Sequence, residues 1–370
     1  MKASPSDLHH PRFIISGGGT GGHIFPALSI ADALRRKHPD ADFLFVGAEG
    51  RMEMEKVPAA GYDIVALPVR GLYRAVTWRN LQVAWRLLKS IRMARRILSD
   101  FRPDAVIGVG GYASAPVLWQ ACRMHIPTVI QEQNSYAGIT NKWLSRRASR
   151  ICVAYPGMER FFPADKMVLT GNPVRDLLEK PLPDQKEARS FFHLAPDRLT
   201  ILSVGGSLGA GTINRSLAQK MHLFDSDVQL IWQTGAYYYD EASKAAEGHD
   251  SVRALPFISR MDMAYAAADL VISRAGACSI SELCISGKPC ILVPSPNVAE
   301  DHQTKNARAL STRGAAILIP DYEADNLLAD TALQVVRNAG KRRELADHVR
   351  LLALPHAADI IVEQIESLIS

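Results

Sequence analysis

Long apolar runs are missing from this sequence. Hydrophobic residues make up 47% of its 370 residues, yet no stretch reaches the roughly 18 apolar residues of a membrane-spanning helix. The opening MKASPSDLHHP has no apolar segment of the kind that directs secretion. These absences predict a chain that is neither secreted nor integral to a membrane. Paired cysteine motifs are missing too. Cys122, Cys152, Cys278, Cys284 and Cys290 are odd in number and include no C-x-x-C, which disfavours disulfides and zinc and predicts buried, reduced thiols in a cytosolic protein. No metal-binding D-x-D lies beyond the end of a strand. Asp40-Ala-Asp42 and Asp225-Ser-Asp227 match by letters but precede strands, so they read as solvated loop carboxylates. Acidic residues are absent from Ile64 to Ser99, where Arg70, Arg74, Arg79, Arg86, Lys89, Arg92, Arg95 and Arg96 stand. Residues 1–174 carry 23 Lys and Arg against 13 Asp and Glu, and the remainder 20 against 25, within a total of +5. The first half therefore favours an anionic partner and the second does not.

The length is too great for one ordinary core and predicts two domains. Short β-rich runs alternate with helical patterns. RFIIS, DFLFVG, DIVALPV, AVIGVGG, PTVIQEQ and RICVAY read as strands of one parallel sheet. KMVLTGNPVR ends in the turn signal Asn172-Pro173, and EKPLPDQ is linker-like. LTILSVGGS, VQLIWQTG, VRALPF, DLVISRAG, CILVPSP and AAILIP form a second series. Two consecutive β-α-β series predict an α/β protein of two Rossmann-like, doubly wound domains facing a central cleft, residues 1–174 and 175–353. The halves echo each other: FIISGGGTGGHIFPALSIADAL and ILSVGGSLGAGTINRSLAQKM both read strand, glycine-rich turn, amphipathic helix.

Gly17 to Gly22 satisfies G-x-G-x-x-G, a weak signal alone. Bare backbone lets a ligand approach, and the N–H groups opening a helix favour an anion. A nicotinamide enzyme would want an acid closing the second strand. DFLFVG is followed by Ala48, with the nearest acid at Glu49, and a second glycine loop at Gly205–Gly211 has no role in that scheme. Two phosphate-type loops suit a reaction that joins two phosphorylated partners. His23, in the first helical turn, either caps locally or acts as a base. The positive end of the helix disfavours imidazolium, and a neutral imidazole can accept a proton from an attacking hydroxyl. In SRAGACSISELCISGKPCILVP a helix is predicted to open near Ser279. Ser279-Ile-Ser-Glu282 fits a capping box, or else Glu282 accepts two ribose hydroxyls. Wound as a helix, Trp78–Leu98 puts Ala84, Leu87, Ile91, Ala94 and Leu98 on a sheet-facing stripe. Trp78 and Trp85 fall opposite, among Lys89, Arg92 and Arg96, a pattern suited to a membrane headgroup layer.

GGGTGGHIFPALSIADAL, GVGGYASAP, QEQNSYAGITNKWL, GNPVR, GGSLGAGTIN, SRAGACSISEL and EDHQTKNA resemble, in order and spacing, the MurG family of lipid-linked N-acetylglucosamine transferases. The resemblance covers nearly the whole chain. It implies the GT-B architecture, with a last helix (354–370) crossing back onto the first domain. It implies no metal, no cofactor and no nucleic-acid partner. The implied reaction moves N-acetylglucosamine from UDP-N-acetylglucosamine to the 4-hydroxyl of an undecaprenyl-diphospho-muramoyl-pentapeptide, with inversion. By the same resemblance His23 is the candidate base and Glu132 its rival. Thr20, Gly21, Gly22, Asn134, Arg175, Ser207, Ile258, Ala277, Cys278, Ser279, Ile280, Ser281, Glu282 and Gln303 would contact the donor, Glu282 at the ribose. Gly18, Gly19, Gly110, Gly111 and Tyr112 would form loops for the acceptor diphosphate. Some members carry two glutamines where this chain has His302-Gln303. The implied location is the cytoplasmic face of the inner membrane, peripheral to an anionic surface, beside other cell-wall and division proteins. A UDP-sugar epimerase of the same fold is the nearest alternative, a nicotinamide oxidoreductase a more distant one.

Overall fold

The computed structural model describes residues 10–69, 79–175, 178, 180–206, 209–224, 227–298 and 301–369. Its apolar runs become strands because helices cover both of their faces. In the first sheet these are β1 (Arg12–Ser16), β2 (Asp42–Ala48), β3 (Asp63–Leu67), β4 (Ala105–Gly108), β5 (Thr128–Glu132), β6 (Arg150–Val153) and β7 (Met167–Leu169). All pair in parallel, in the order β3-β2-β1-β4-β5-β6-β7. The edge strand β7 lies just ahead of the Asn172-Pro173 turn; three residues are too few for periodicity to mark it.

Alternation along β1 divides the core. Ile14 faces one side with Val46, Val106, Ile130 and Ile151. Phe13 and Ile15 face the other with Phe45, Ile107 and Val129. The first side is covered by α3 (Arg79–Phe101), α4 (Ser114–Arg123) and α5 (Ile139–Leu144), the second by α1 (Gly21–Lys37). The short α2 (Glu53–Ala59) lies between β2 and β3. The last helix, Ala357–Ile369, packs on α1 and buries Ala358, Ile361, Val362 and Ile365 against that second side. Two compact units result, Met1–Val174 with His356–Ser370, and Arg175–Pro355.

The second unit repeats the plan. β8 (Leu199–Val204), β9 (Val228–Gln233), β10 (Val252–Leu255), β11 (Leu270–Ser273), β12 (Cys290–Leu292) and β13 (Ile317–Leu318) form a parallel sheet in the order β10-β9-β8-β11-β12-β13. Trp232 is its largest fully buried side chain, with the indole N–H donated to Asn214 Oδ1 at 2.9 Å. The direction in which successive strands are added to the sheet reverses between β1 and β4, and again between β8 and β11. In such sheets ligands bind beyond the carboxyl ends of the strands at these switch points.

Three expectations need correction. Cys122 and Cys278 are only half-buried, whereas Cys152, Cys284 and Cys290 are buried; all five are free. The helix expected to open near Ser279 opens at Ala277. Ala94 and Leu98 of α3 are buried as the helical stripe predicts, but Leu87 is 43% exposed. The reason is length. A helix of 23 residues spans about 34 Å, while strands of four to seven residues span roughly 13–23 Å. The N-terminal turns of α3 therefore overhang the carboxyl ends of the strands. The side chain of Ala84, and all of Arg70, Arg74 and Trp78, lie outside the described residues. Among the described residues no helix is long and apolar enough to cross a membrane.

Candidate active site

In the first unit the two loops at the β1–β4 switch press backbone on backbone. A Cβ on Gly111 would lie 2.4 Å from Gly18 O, so nothing larger than glycine fits there. Gly18 and Gly111 meet at this contact, with Gly19 and Gly110 beside them in sequence, and Thr20, Gly22 and Tyr112 are exposed on the same loops. Thr20 precedes the first turn of α1 with no side-chain cap bond.

His23 turns its ring back onto the loop. Its Nδ1 is 3.1 Å from Gly18 O and 3.3 Å from Thr20 Oγ1. A carbonyl oxygen only accepts, so the bond to Gly18 O calls for the proton on Nδ1, which in the neutral ring leaves the lone pair on Nε2. The Nε2 edge lies over Gly110, where a Cβ would come within 3.0 Å.

A carboxylate missed by sequence reasoning organises the same loop. Glu53, 1% exposed at the start of α2, accepts from Gly19 N at 2.8 Å and from Ala48 N at 2.9 Å. A Cβ on Gly18 would sit 2.1 Å from its Oε1. Part of the glycine run is thus bare to admit an internal anion. The Gly19 N–H, assigned by resemblance to an acceptor diphosphate, is spent inside the protein. Glu49 is the first acid after β2, but the acid that closes onto the loop stands one helical turn later.

Glu132 is buried and saturated. Its oxygens accept from Asn134 N (3.1 Å), Asn134 Nδ2 (3.3 Å), Gly138 N (3.0 Å) and Asn141 Nδ2 (2.8 Å). It folds the β5–α5 loop and brings Asn134 to the strand's carboxyl end. Beneath it, Gln133 Nε2 donates to Val109 O at 2.7 Å, and Asn172 Nδ2 to Gln133 O at 3.0 Å. The QEQN run thereby ties the β4, β5 and β7 ends together.

In the second unit, helix Ala277–Ser286 follows β11 directly. Ala277, Cys278 and Ser279 occupy its first turn, with Gly276 as N-cap and no side-chain cap bond. The capping-box reading fails here, because Gly276 is the N-cap and Ser279 already lies inside the first turn, which leaves Glu282 too deep in the helix to reach back to the cap. Its Oε2 accepts from the Tyr265 hydroxyl at 3.0 Å, and its Oε1 is 3.4 Å from Arg175 Nε. Burial pushes the Glu282 carboxyl above its ordinary value, against the opposing pull of Arg175 and Tyr265. Ile280 is buried and Ser281 Oγ donates to Ala277 O at 3.2 Å, so Ile280 and Ser281 serve the helix itself. Ile258 donates its N–H to Gln233 Oε1 at 3.2 Å, and Gln233 Nε2 donates to Gly206 O at 3.2 Å. This glutamine, also missed in the sequence, couples the second glycine-rich turn to Ile258. Gln303 accepts from Ser295 N at 2.8 Å, and His302 opens the same helix. Arg274 is bonded to Val293 O, Pro294 O and Asp321. Ser207 lies outside the described residues.

Trp85, Lys89, Arg92 and Arg96 share one exposed face of α3, with Lys89 Nζ 5.8 Å from the Trp85 ring centroid. Trp85 is 63% exposed and Leu88 53%. On the same side of the sheet, α5 and the segment after β6 line a cavity of about 660 Å³ with Lys142, Trp143, Arg146, Arg147, Arg160 and Phe161.

The glycosyltransferase family 28 N-terminal domain matches residues 13–153, and its C-terminal domain matches residues 200–361. A protein of Parabacteroides distasonis is 58% identical over 364 residues, 97% of this chain and 98% of its own length. It is named UDP-N-acetylglucosamine–N-acetylmuramyl-(pentapeptide) pyrophosphoryl-undecaprenol N-acetylglucosamine transferase. The crystal structure of Acinetobacter baumannii MurG aligns with TM-score 0.77 and 30% identity, covering 96% of this chain and 99% of that one. The UDP-GlcNAc 2-epimerase of Neisseria meningitidis bound to UDP-GlcNAc aligns with TM-score 0.65 at 14% identity, covering 96% and 100%, a likeness of fold alone.

Proposed function

The chain belongs to glycosyltransferase family 28 and to the MurG transferases within it, and from that premise we propose how its residues carry the reaction. The enzyme moves N-acetylglucosamine from UDP-N-acetylglucosamine to the muramyl-pentapeptide borne on pyrophosphoryl-undecaprenol, converting lipid I to lipid II. The observation that carries this is 58% identity with a named relative over nearly the full length of both chains.

In the proposed step the acceptor 4-hydroxyl attacks the anomeric carbon from the face opposite the diphosphate. The carbon–oxygen bond to UDP breaks as the new glycosidic bond forms, which inverts the centre. The hydroxyl proton goes to His23 Nε2, the nitrogen left basic by the Nδ1 bond to Gly18 O. Glu132 is the poorer candidate: four donors already occupy its oxygens. Its role in this reading is to hold Asn134 toward the sugar. Glu282 takes the ribose hydroxyls, and Arg175 shifts between Glu282 and the donor diphosphate. Thr20, Gly21 and Gly22 meet the donor on the first unit; Ile258, Gln233 and Gln303 frame uracil and sugar on the second.

Attachment to an anionic membrane surface is part of the same reading, since an undecaprenol-linked acceptor resides in a bilayer. The overhanging, cation-ringed end of α3 supports it. The test is transfer of label from UDP-N-acetylglucosamine to a lipid-diphosphate muramoyl acceptor, by the purified chain. Labelled lipid bearing a new hexosamine is expected. Conversion of the nucleotide sugar to an epimer without any labelled lipid would replace the transferase with the epimerase.

A further inference from the structure

Gly18 O and Gly19 N–H belong to one peptide group, and each end of it has a partner. The oxygen lies 3.1 Å from His23 Nδ1, and the N–H lies 2.8 Å from Glu53 Oε2. We propose that Glu53 is a positioning residue for the transfer reaction, setting the ring orientation and tautomer of His23 through the Gly18–Gly19 peptide. The inference rests on the reading of His23 as the base.

A peptide group is rigid, so fixing its N–H fixes its carbonyl on the opposite side. The flanking residues are both glycine, which tolerate either orientation of the group between them; left alone, that peptide is free to flip. Flipping would aim the carbonyl oxygen at the Glu53 carboxylate, oxygen against oxygen. It would also aim the N–H at His23 Nδ1, which would then have to accept, leaving the proton on Nε2 and no base for the acceptor hydroxyl. Glu53 is what disfavours the flip. Its other oxygen is anchored by Ala48 N at 2.9 Å, at the end of β2, so the carboxylate is tied to the sheet. The N–H to carboxylate bond is charge-assisted and polarises the carbonyl on the far side, strengthening its hold on Nδ1–H. The absence of a Cβ at Gly18 and at Gly47 gives the carboxylate its space: Cβ atoms there would lie 2.1 and 2.6 Å from Glu53 atoms. The result is a carboxylate–peptide–imidazole relay that does the work a directly bonded carboxylate does in a catalytic triad.

The test uses the full chain with 15N-labelled histidine and the isosteric Glu53→Gln. Gln offers one oxygen to two N–H donors and sets an NH2 group against the other, so the peptide loses its preference. In the wild type the His23 ring should carry its proton on Nδ1. In Glu53→Gln a substantial Nε2–H population should appear, and kcat should fall roughly 10- to 100-fold, the range for losing a group that orients a catalytic ligand. The KM for UDP-N-acetylglucosamine should stay within about twofold, as for a group acting only on the chemical step. A role confined to stability would move neither tautomer nor kcat once the protein is folded. A wild-type ring protonated on Nε2 overturns the proposal whether or not the variant folds, and so does a folded Glu53→Gln with unchanged tautomer and kcat. His23→Ala is measured alongside. Full activity there, with the tautomer change still seen in Glu53→Gln, would sink the base assignment while the relay stood.

Discussion

Glu282 faces two demands, one from the fold and one from the ligand. Glu282→Ala would strip a buried tyrosine hydroxyl of its acceptor, a loss of about 1–3 kcal/mol in stability. Glu282→Gln keeps the acceptor and removes a charge that burial disfavours. Because its folded-state value is raised, the folded protein takes up a proton more readily than the unfolded chain does. Stability from this group therefore declines as pH climbs from the ordinary glutamate value through the raised one. Glu282→Gln should flatten the melting-temperature profile in that window while weakening UDP-N-acetylglucosamine binding by about 1.5–3 kcal/mol, the range for bonds to a charged group. Unchanged donor affinity in calorimetry would remove Glu282 from the nucleotide site. His23→Ala should lower kcat by about 10²–10⁴ with donor KM nearly intact; a nearly active variant would return the role to another group. His23 was legible in the sequence because it adjoins the glycines it serves. Glu53 was not, because its bond to Gly19 spans 34 positions and no local pattern records such a contact. Gln233 was hidden likewise, its side chain bridging two loops that are distant in sequence.

Elements were easier to read than contacts. Strands covered on both faces must be apolar along their length, so runs such as RFIIS and VQLIWQ announced themselves, and the glycines after them marked the switch-point loops. What periodicity misses is how far an element extends beyond its neighbours. The stripe through Leu87 is real along α3, but the sheet ends before it. The helix Ala357–Ile369 is the opposite case: its apolar face finds α1, and Ile361 and Ile365 are wholly buried. Ile361→Ala should cost about 2–5 kcal/mol, the range for emptying a fully buried site. Faster amide exchange should follow in that helix and in α1, while the second unit is unaffected. Equal effects in both units would mean they melt as one. At the surface of the same helix, burial alone would raise Glu366, but bonds from Lys37 and His38 outweigh it and hold its carboxyl below the ordinary range. That contribution is present above the ordinary glutamate value and is lost as pH falls through the lowered one.

Charge is the property that only the whole chain displays. Residues 1–174 hold the excess of Lys and Arg and the remainder an excess of Asp and Glu, so an anionic bilayer attracts the first stretch and repels the second. Where α3 overhangs, that attraction coincides with apolar surface: Trp85, Leu87 and Leu88 are exposed beside Lys89 and Arg92. Aromatic and aliphatic groups there can enter the headgroup layer while the cations stay at the phosphates. Each basic residue near an anionic leaflet contributes about 1 kcal/mol. Trp85→Glu with Arg92→Glu changes the local charge by about three units, so binding should weaken by about 3 kcal/mol, roughly two orders of magnitude. The double variant should stay in the supernatant when vesicles of anionic lipid are sedimented. Wild-type attachment should weaken as salt shortens the Debye length from about 10 Å at 0.1 M to about 3 Å at 1 M. Activity on a short-chain, water-soluble acceptor should survive, because the side chains of both residues face outward on α3 and neither bonds to His23 or Glu53. Normal sedimentation of the double variant at low salt would move the contact to the basic cavity around Trp143, where Lys142, Arg146 and Arg147 offer the same chemistry.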